Sequence, residues 1–99
     1  MAKYDVYPNP SDRGYLLDLQ SDLLEGIASR VVAPLVPTSA TLRAASRLNP
    51  AFEIEGGNHI LLTQSMSAVP VRILDKPVTN LSAHHDEITN AVDMVFVGF

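Results

Sequence analysis

Ninety-nine residues at 10.7 kDa leave room for one hydrophobic core and too little chain for a second. With 46% hydrophobic and 18% charged residues, and seven prolines and five glycines spread along the chain, the composition excludes a disordered or fibrous protein. A formal charge of -4 disfavours nonspecific binding to phosphate backbones, and the absence of cysteine excludes disulfides, thiolate metal sites and thiol nucleophiles.

Residues 4–7 form the first expected strand. It ends in Pro8-Asn9-Pro10-Ser11-Asp12-Arg13-Gly14, where proline removes ladder donors and Gly14 permits positive φ. Strands follow at 15–19 and at 30–35, the second carrying the β-branched pair Val31-Val32 before Pro34 and Pro37 limit pairing. Segment 38–48 fits neither strand nor loop clearly. At 51–55, Phe52 and Ile54 alternate with Glu53 and Glu55, and a turn at Gly56-Gly57-Asn58 leads into an apolar run at 59–62. A further strand spans 69–74, with Pro70 marking an edge.

The C-terminal part differs in kind. Ser82 reads as a helix N-cap, Asp86 and Glu87 suit the positive end of the helix dipole, and Ile88, Ala91, Val92, Val95 and Phe99 follow helical spacing. A helix is therefore expected over 83–97. Its last turn, with Met94, Val95, Phe96, Val97 and Phe99, is apolar around more of its circumference than one buried stripe requires, so part of that surface needs a partner. No run approaches the length of a membrane span or a signal peptide, which makes the cytoplasm the expected location. The whole chain thus reads as one mainly β domain, a small barrel of short strands at 4–74 with an appended helix.

Catalytic constellations are sparse. His84 and His85 are adjacent, so a helix points them about 100° apart, whereas a metal pair needs i, i+3 or i+4 spacing. His59 stands alone as a core-edge residue. Asp18 and Asp22 read as turn and capping residues, with no general base nearby. No Gly-x-Ser-x-Gly elbow or phosphate-binding glycine loop is present. Arg13 and Arg30 are the candidate phosphate ligands of a metal-free ribonuclease, although their ordinary reading is as surface arginines. The residue chemistry favours binding over catalysis, with no cofactor implied.

Three blocks carry a resemblance. Leu17-Asp18-Leu19-Gln20-Ser21-Asp22-Leu23-Leu24 followed by Arg30-Val31-Val32-Ala33-Pro34-Leu35, then Leu62-Thr63-Gln64-Ser65-Met66-Ser67-Ala68-Val69-Pro70-Val71, and finally Val78-Thr79-Asn80-Leu81-Ser82 leading to Phe96-Val97-Gly98-Phe99, closely resemble the CcdB family of toxins in order and spacing. The resemblance implies an SH3-like barrel of the CcdB/MazF type with a C-terminal helix, assembled as a homodimer. It further implies the toxin of a toxin–antitoxin module, one that binds the DNA gyrase A protein and traps the gyrase-cleaved DNA complex without catalysing a reaction itself. A cognate CcdA-like antitoxin would neutralise it, and the pair would repress their own operon, with operator DNA contacted through the antitoxin.

Carried onto this chain, the gyrase contact implied by the resemblance falls on Leu23, Leu24, Asp93, Phe96, Val97, Gly98 and Phe99. Familiar members have tryptophan at the position of Val97 and asparagine at that of Asp93. Trading tryptophan for valine removes on the order of 2 kcal/mol from such a contact. Two alternatives stay open on the same fold: a MazF/Kid-like endoribonuclease using Arg13 and Arg30, and a degenerate toxin that only binds antitoxin.

Overall fold

The computed structural model describes residues 1–38 and 47–98. Most of segment 38–48 lies outside the described residues, as does Phe99. Among the described residues are seven strands: β1 (Asp5–Pro8), β2 (Tyr15–Asp18), β3 (Ser29–Pro37), β4 (Ala51–Ile54), β5 (Gly57–Leu61), β6 (Ser67–Pro70) and β7 (Thr79–Asn80). Short 3-10 turns punctuate them, and helix α1 (His85–Phe96) ends the fold. The strands form one antiparallel sheet in the order β4-β5-β3-β2-β1-β7, with β6 also paired to β3. This is the expected mainly β, SH3-like barrel with a C-terminal helix.

β3 organises the sheet because it has nine residues and three partners. One edge pairs with β2, from Tyr15↔Leu35 to Asp18↔Val32. The other edge is shared, β6 taking Ser29 to Val32 and β5 taking Leu35 to Pro37. Pro34 sits at the changeover, where its carbonyl accepts from the Leu62 N–H at 2.8 Å. A residue's N–H and C=O point to the same edge of a strand, so the donor that proline lacks falls in the gap between β5 and β6. That is why β3 runs through Pro34 to Pro37 rather than stopping at residue 35 as expected.

Neighbouring residues on the central strands face opposite sides, and both sides are covered. Val6, Leu17, Ala33, Leu35, Phe52, Ile54 and Leu61 join Ile88 of α1 in one cluster. Tyr7, Leu16, Val32 and Leu74 form a second. Pairs such as Leu16-Leu17 and Val32-Ala33 therefore read as continuous apolar runs.

Several boundaries differ from expectation. Tyr4 is left-handed, with φ 73°, so the first strand begins one residue later. The turn between β4 and β5 is Glu55-Gly56, with φ of 50° and 84°, the pair of positive φ values that a two-residue type I′ hairpin requires. Strand 69–74 is replaced by β6 and a 3-10 turn at Val71–Ile73, because Pro70 already pairs with Ser29, the first residue of β3. The short strand β7, absent from the sequence reading, pairs with Asp5 and Val6. Ser82 is not the helix cap: it opens a 3-10 turn, and Asn80 Oδ1 accepts its N–H at 2.8 Å. α1 closes with Gly98 at φ 86°, its N–H reaching the Asp93 carbonyl at 3.2 Å.

Arg30 overturns both of its sequence readings. It is 2% exposed, neither a surface residue nor a phosphate ligand. Its Nη2 lies 2.7 Å and its Nε 2.9 Å from Oδ2 of Asp18, which is itself fully buried. Gln20 completes the site, its N–H donating to Asp18 Oδ1 at 3.0 Å and its Oε1 accepting the Val31 N–H at 3.0 Å. Burial pushes the Asp18 carboxyl above its ordinary value, while the Gln20 N–H and the Arg30 guanidinium pull it back down.

Removing one member of this pair strands a charge in the core. Arg30→Met and Asp18→Ala are each expected to lose about 3–5 kcal/mol of unfolding free energy in urea titrations. Burial, together with the nearby Asp5 and Asp18 carboxylates, pushes the Tyr7 phenol up from 10.0 to about 12. A raised folded-state value favours the protonated form, so the stability tied to Tyr7 is fully present below pH 10 and is lost as pH rises towards about 12. Ultraviolet titration of phenolate should show a late-ionising tyrosine that disappears in Tyr7→Phe.

Candidate functional site

The loop between β2 and β3 is built to expose leucine. Ser21 Oγ accepts the Leu23 N–H at 3.2 Å and its carbonyl accepts the Leu24 N–H at 3.0 Å, closing a 3-10 turn over Asp22–Leu24. The turn points Leu23 outward, 94% exposed, and leaves Leu24 half exposed. Asp22 Oδ1 fastens the turn to the N-terminal segment by accepting the Lys3 N–H at 2.8 Å, and it stands 3.9 Å from Arg30 Nη2. Asp18 and Asp22 thus flank one guanidinium instead of forming a catalytic carboxylate pair.

α1 buries Ile88 and Ala91, one turn apart on the same face. Beyond them its apolar character outruns the core: Val95 is 37%, Phe96 71% and Val97 56% exposed. Asp93 and Gly98 are exposed as well. The helix end and the leucine turn meet across a groove of about 300 Å³ lined by Leu24, Phe96, Tyr4, Leu19, Met66 and Val92, among others. Leu24 and Phe96, 72 positions apart in sequence, therefore share one apolar surface.

Of the site residues read from the sequence, the fold brings Leu24 of the turn and Phe96 of the helix end to one groove; Leu23 is exposed on the same turn, Asp93, Val97 and Gly98 are exposed on the helix end and just after it, and Phe99 lies outside the described residues. The groove floor was missed. Leu19 and Met66 carried only the ordinary apolar pattern of strands and turns, and nothing in the sequence marks Tyr4 as left-handed.

The remaining candidates are dispersed. Arg13 is exposed in a shallow hollow with Asp12, Val36, Pro37 and Thr38, beside the Tyr15↔Leu35 end of the β2–β3 ladder. Arg30 belongs to the opposite end, about 17 Å away along β3 at 3.3 Å per residue. His59 is buried at the core edge, its Nδ1 2.8 Å from the Gly57 carbonyl and its ring edge-on to Tyr15. His84 packs on Phe52 and faces Glu87, while His85 faces Tyr4. Among the described residues, no three His, Cys, Asp or Glu side chains gather to hold a metal ion, and no helix is long and apolar enough to cross a membrane.

Side chains already in water contribute little to folding. Leu23→Ser and Phe96→Ser should each change unfolding free energy by no more than about 0.5 kcal/mol. Ile88→Ala, buried on the same helix, should cost about 2–5 kcal/mol. Urea denaturation of the three variants separates interaction surface from core.

Solved structures share this architecture. An endoribonuclease from a mycobacterial species superposes with a TM-score of 0.77 at 13% identity, covering 97% of this chain and 90% of that one. An endoribonuclease in complex with its cognate antitoxin, also mycobacterial, gives 0.74 at 14% identity over 97% and 94% of the two chains. The Mycobacterium tuberculosis toxin MazF-mt6 gives 0.69 at 15% identity over 93% and 95%. At such identities the likeness establishes the barrel-and-helix fold and nothing finer. The sequence itself is more specific: the family described as CcdB protein matches residues 3–98, nearly the whole chain, and this protein belongs to the CcdB family.

Proposed function

We propose that this chain is the toxin of a toxin–antitoxin module, and that it acts by docking the surface of Leu23, Leu24, Asp93, Phe96, Val97, Gly98 and Phe99 on the DNA gyrase A protein. The observation that carries this reading is the shared groove of Leu24 and Phe96, flanked by exposed Leu23 and Val97. An apolar surface of this kind costs solubility unless a partner covers it, and large apolar anchors dominate the affinity of such contacts. The protein works as a homodimer, so two helix ends face a two-fold partner, the opened gyrase, and hold the cleaved DNA complex. Asp93 requires a cation on the partner, since a desolvated carboxylate is otherwise unfavourable. A cognate CcdA-like antitoxin covers the toxin, in keeping with the antitoxin bound to the mycobacterial endoribonuclease of the same fold. The charge of -4 suits a chain that reaches operator DNA only through that antitoxin.

A second reading, endoribonuclease activity, is favoured by the endoribonucleases among its fold neighbours. The geometry lends it less support. Arg30 is held by Asp18 in the core, so Arg13 is left without its expected companion, and a cleavage site also needs an acid and a base.

Purified gyrase, ATP and supercoiled plasmid distinguish these readings. Linear DNA should accumulate, after protein denaturation, with the full chain and not with a form lacking residues 97–99. Absence of linear DNA with folded protein overturns the gyrase reading. RNA cleavage that is lost in Arg13→Ala would establish the endoribonuclease in its place, and inertness towards both substrates fits a degenerate toxin that only binds antitoxin.

A further inference from the structure

Lys3 and Tyr4 join the leucine turn, the end of β2 and the approach to α1, three of the segments around the groove. The Lys3 N–H holds Asp22 of the leucine turn at 2.8 Å. The Tyr4 N–H donates to the Asp18 carbonyl at the end of β2 at 2.7 Å, and the Tyr4 carbonyl accepts from Leu81, just before α1, at 2.9 Å. These bonds keep Tyr4 at φ 73°, a left-handed conformation that is unfavourable for an aromatic residue and survives only where its surroundings impose it. Residues held in this way concentrate at binding sites and switches. The Tyr4 side chain is 6% exposed and lines the groove. Its Oη lies 2.5 Å from Nδ1 of His85, and the two rings meet edge to face at 5.5 Å.

The histidine doublet thereby acquires a purpose that metal binding did not supply. His84 packs its ring on Phe52 of β4 with centroids 5.0 Å apart, and His85 docks on Tyr4 ahead of β1. The start of α1 is thus gripped from two sides of the barrel. Its far end carries Phe96 in solvent, 12 residues of helix spanning about 16 Å. Over that length a tilt of about 10° at His85 displaces Phe96 by about 3 Å.

We propose that Tyr4 is a positioning residue for the groove: acting through His85, it fixes where Phe96 stands across from Leu24. In this arrangement the Tyr4 hydroxyl and Nδ1 of His85 share one hydrogen bond. For its biological consequence the proposal rests on the groove being the gyrase-binding surface; the positional claim itself does not.

Fluorine spectra of protein carrying 4-fluorophenylalanine test the claim directly, since the chain has only three phenylalanines and Phe96 is assigned by its replacement with leucine. Tyr4→Phe and His85→Ala should each shift or split the Phe96 resonance. His85→Asn, which keeps a hydrogen-bonding group near the position of Nδ1, should restore it. Leu74→Ala, in the other apolar cluster, supplies a destabilised control that should leave Phe96 in place. In the gyrase assay the potency of Tyr4→Phe should fall about three- to tenfold, the equivalent of one neutral hydrogen bond. An unmoved Phe96 resonance in both Tyr4→Phe and His85→Ala, or the same movement in Leu74→Ala, overturns the proposal. A moved resonance with unchanged potency upholds the positioning role and counts against the gyrase reading alone.

Discussion

A guanidinium in the core of a domain this small tolerates no neglect. Arg30 and Asp18 are both sealed from solvent, and either one alone would be an uncompensated charge in an apolar interior. Their pairing constrains three things at once. It ties the start of β3 to the last residue of β2, so a slip of one residue would put the two side chains on opposite faces of the sheet. It places Gln20 to bridge the backbone between them. It also leaves Arg30 within reach of Asp22, which anchors the leucine turn. The turn that carries the exposed leucines is therefore linked, through Asp22, to a buried ion pair. Such a pair contributes little net stability compared with apolar residues of the same shape, while the loss of either partner is costly.

Much of the fold was legible because its periodicities are strong. Phe52 and Ile54 alternating with glutamates could belong only to a half-buried strand, and the spacing of Ile88, Ala91 and Val92 only to an amphipathic helix. What escaped the reading depends on partners distant in sequence. β7 has two residues and exists because β1 offers it an edge. β6 stops at Pro70 because β3 starts at Ser29. Arg30 looked like a surface residue because arginine usually is one, and only the folded register brings Asp18 to it.

The site was legible for a related reason. An apolar excess at the helix end stands out against the single buried stripe that a helix needs, whereas Leu23 and Leu24 were marked only by the resemblance to the CcdB family. Together they identify the lips of the groove without its floor. Leu19 and Met66 fit the ordinary apolar pattern of their segments, so their exposure to a cavity appears only in three dimensions. Family membership and the endoribonuclease-like fold then mark two different uses of one scaffold, and the choice between them lies with particular side chains.

Gly14 carries a consequence for how the protein can change. A β-carbon there would meet the Leu35 carbonyl oxygen at 2.2 Å, so the chain rejoins the sheet at that point only as glycine. The Asn9 N–H, bonded to the Gly14 carbonyl at 3.1 Å, closes the loop at its base. Between these residues the loop is a cassette with fixed ends. Lengthening it adds closure entropy only logarithmically and leaves the register of β1 and β2 untouched. Relatives are free to diverge in residues 10–13, and to acquire new surface chemistry beside Arg13, while the groove between the leucine turn and the helix end keeps its shape.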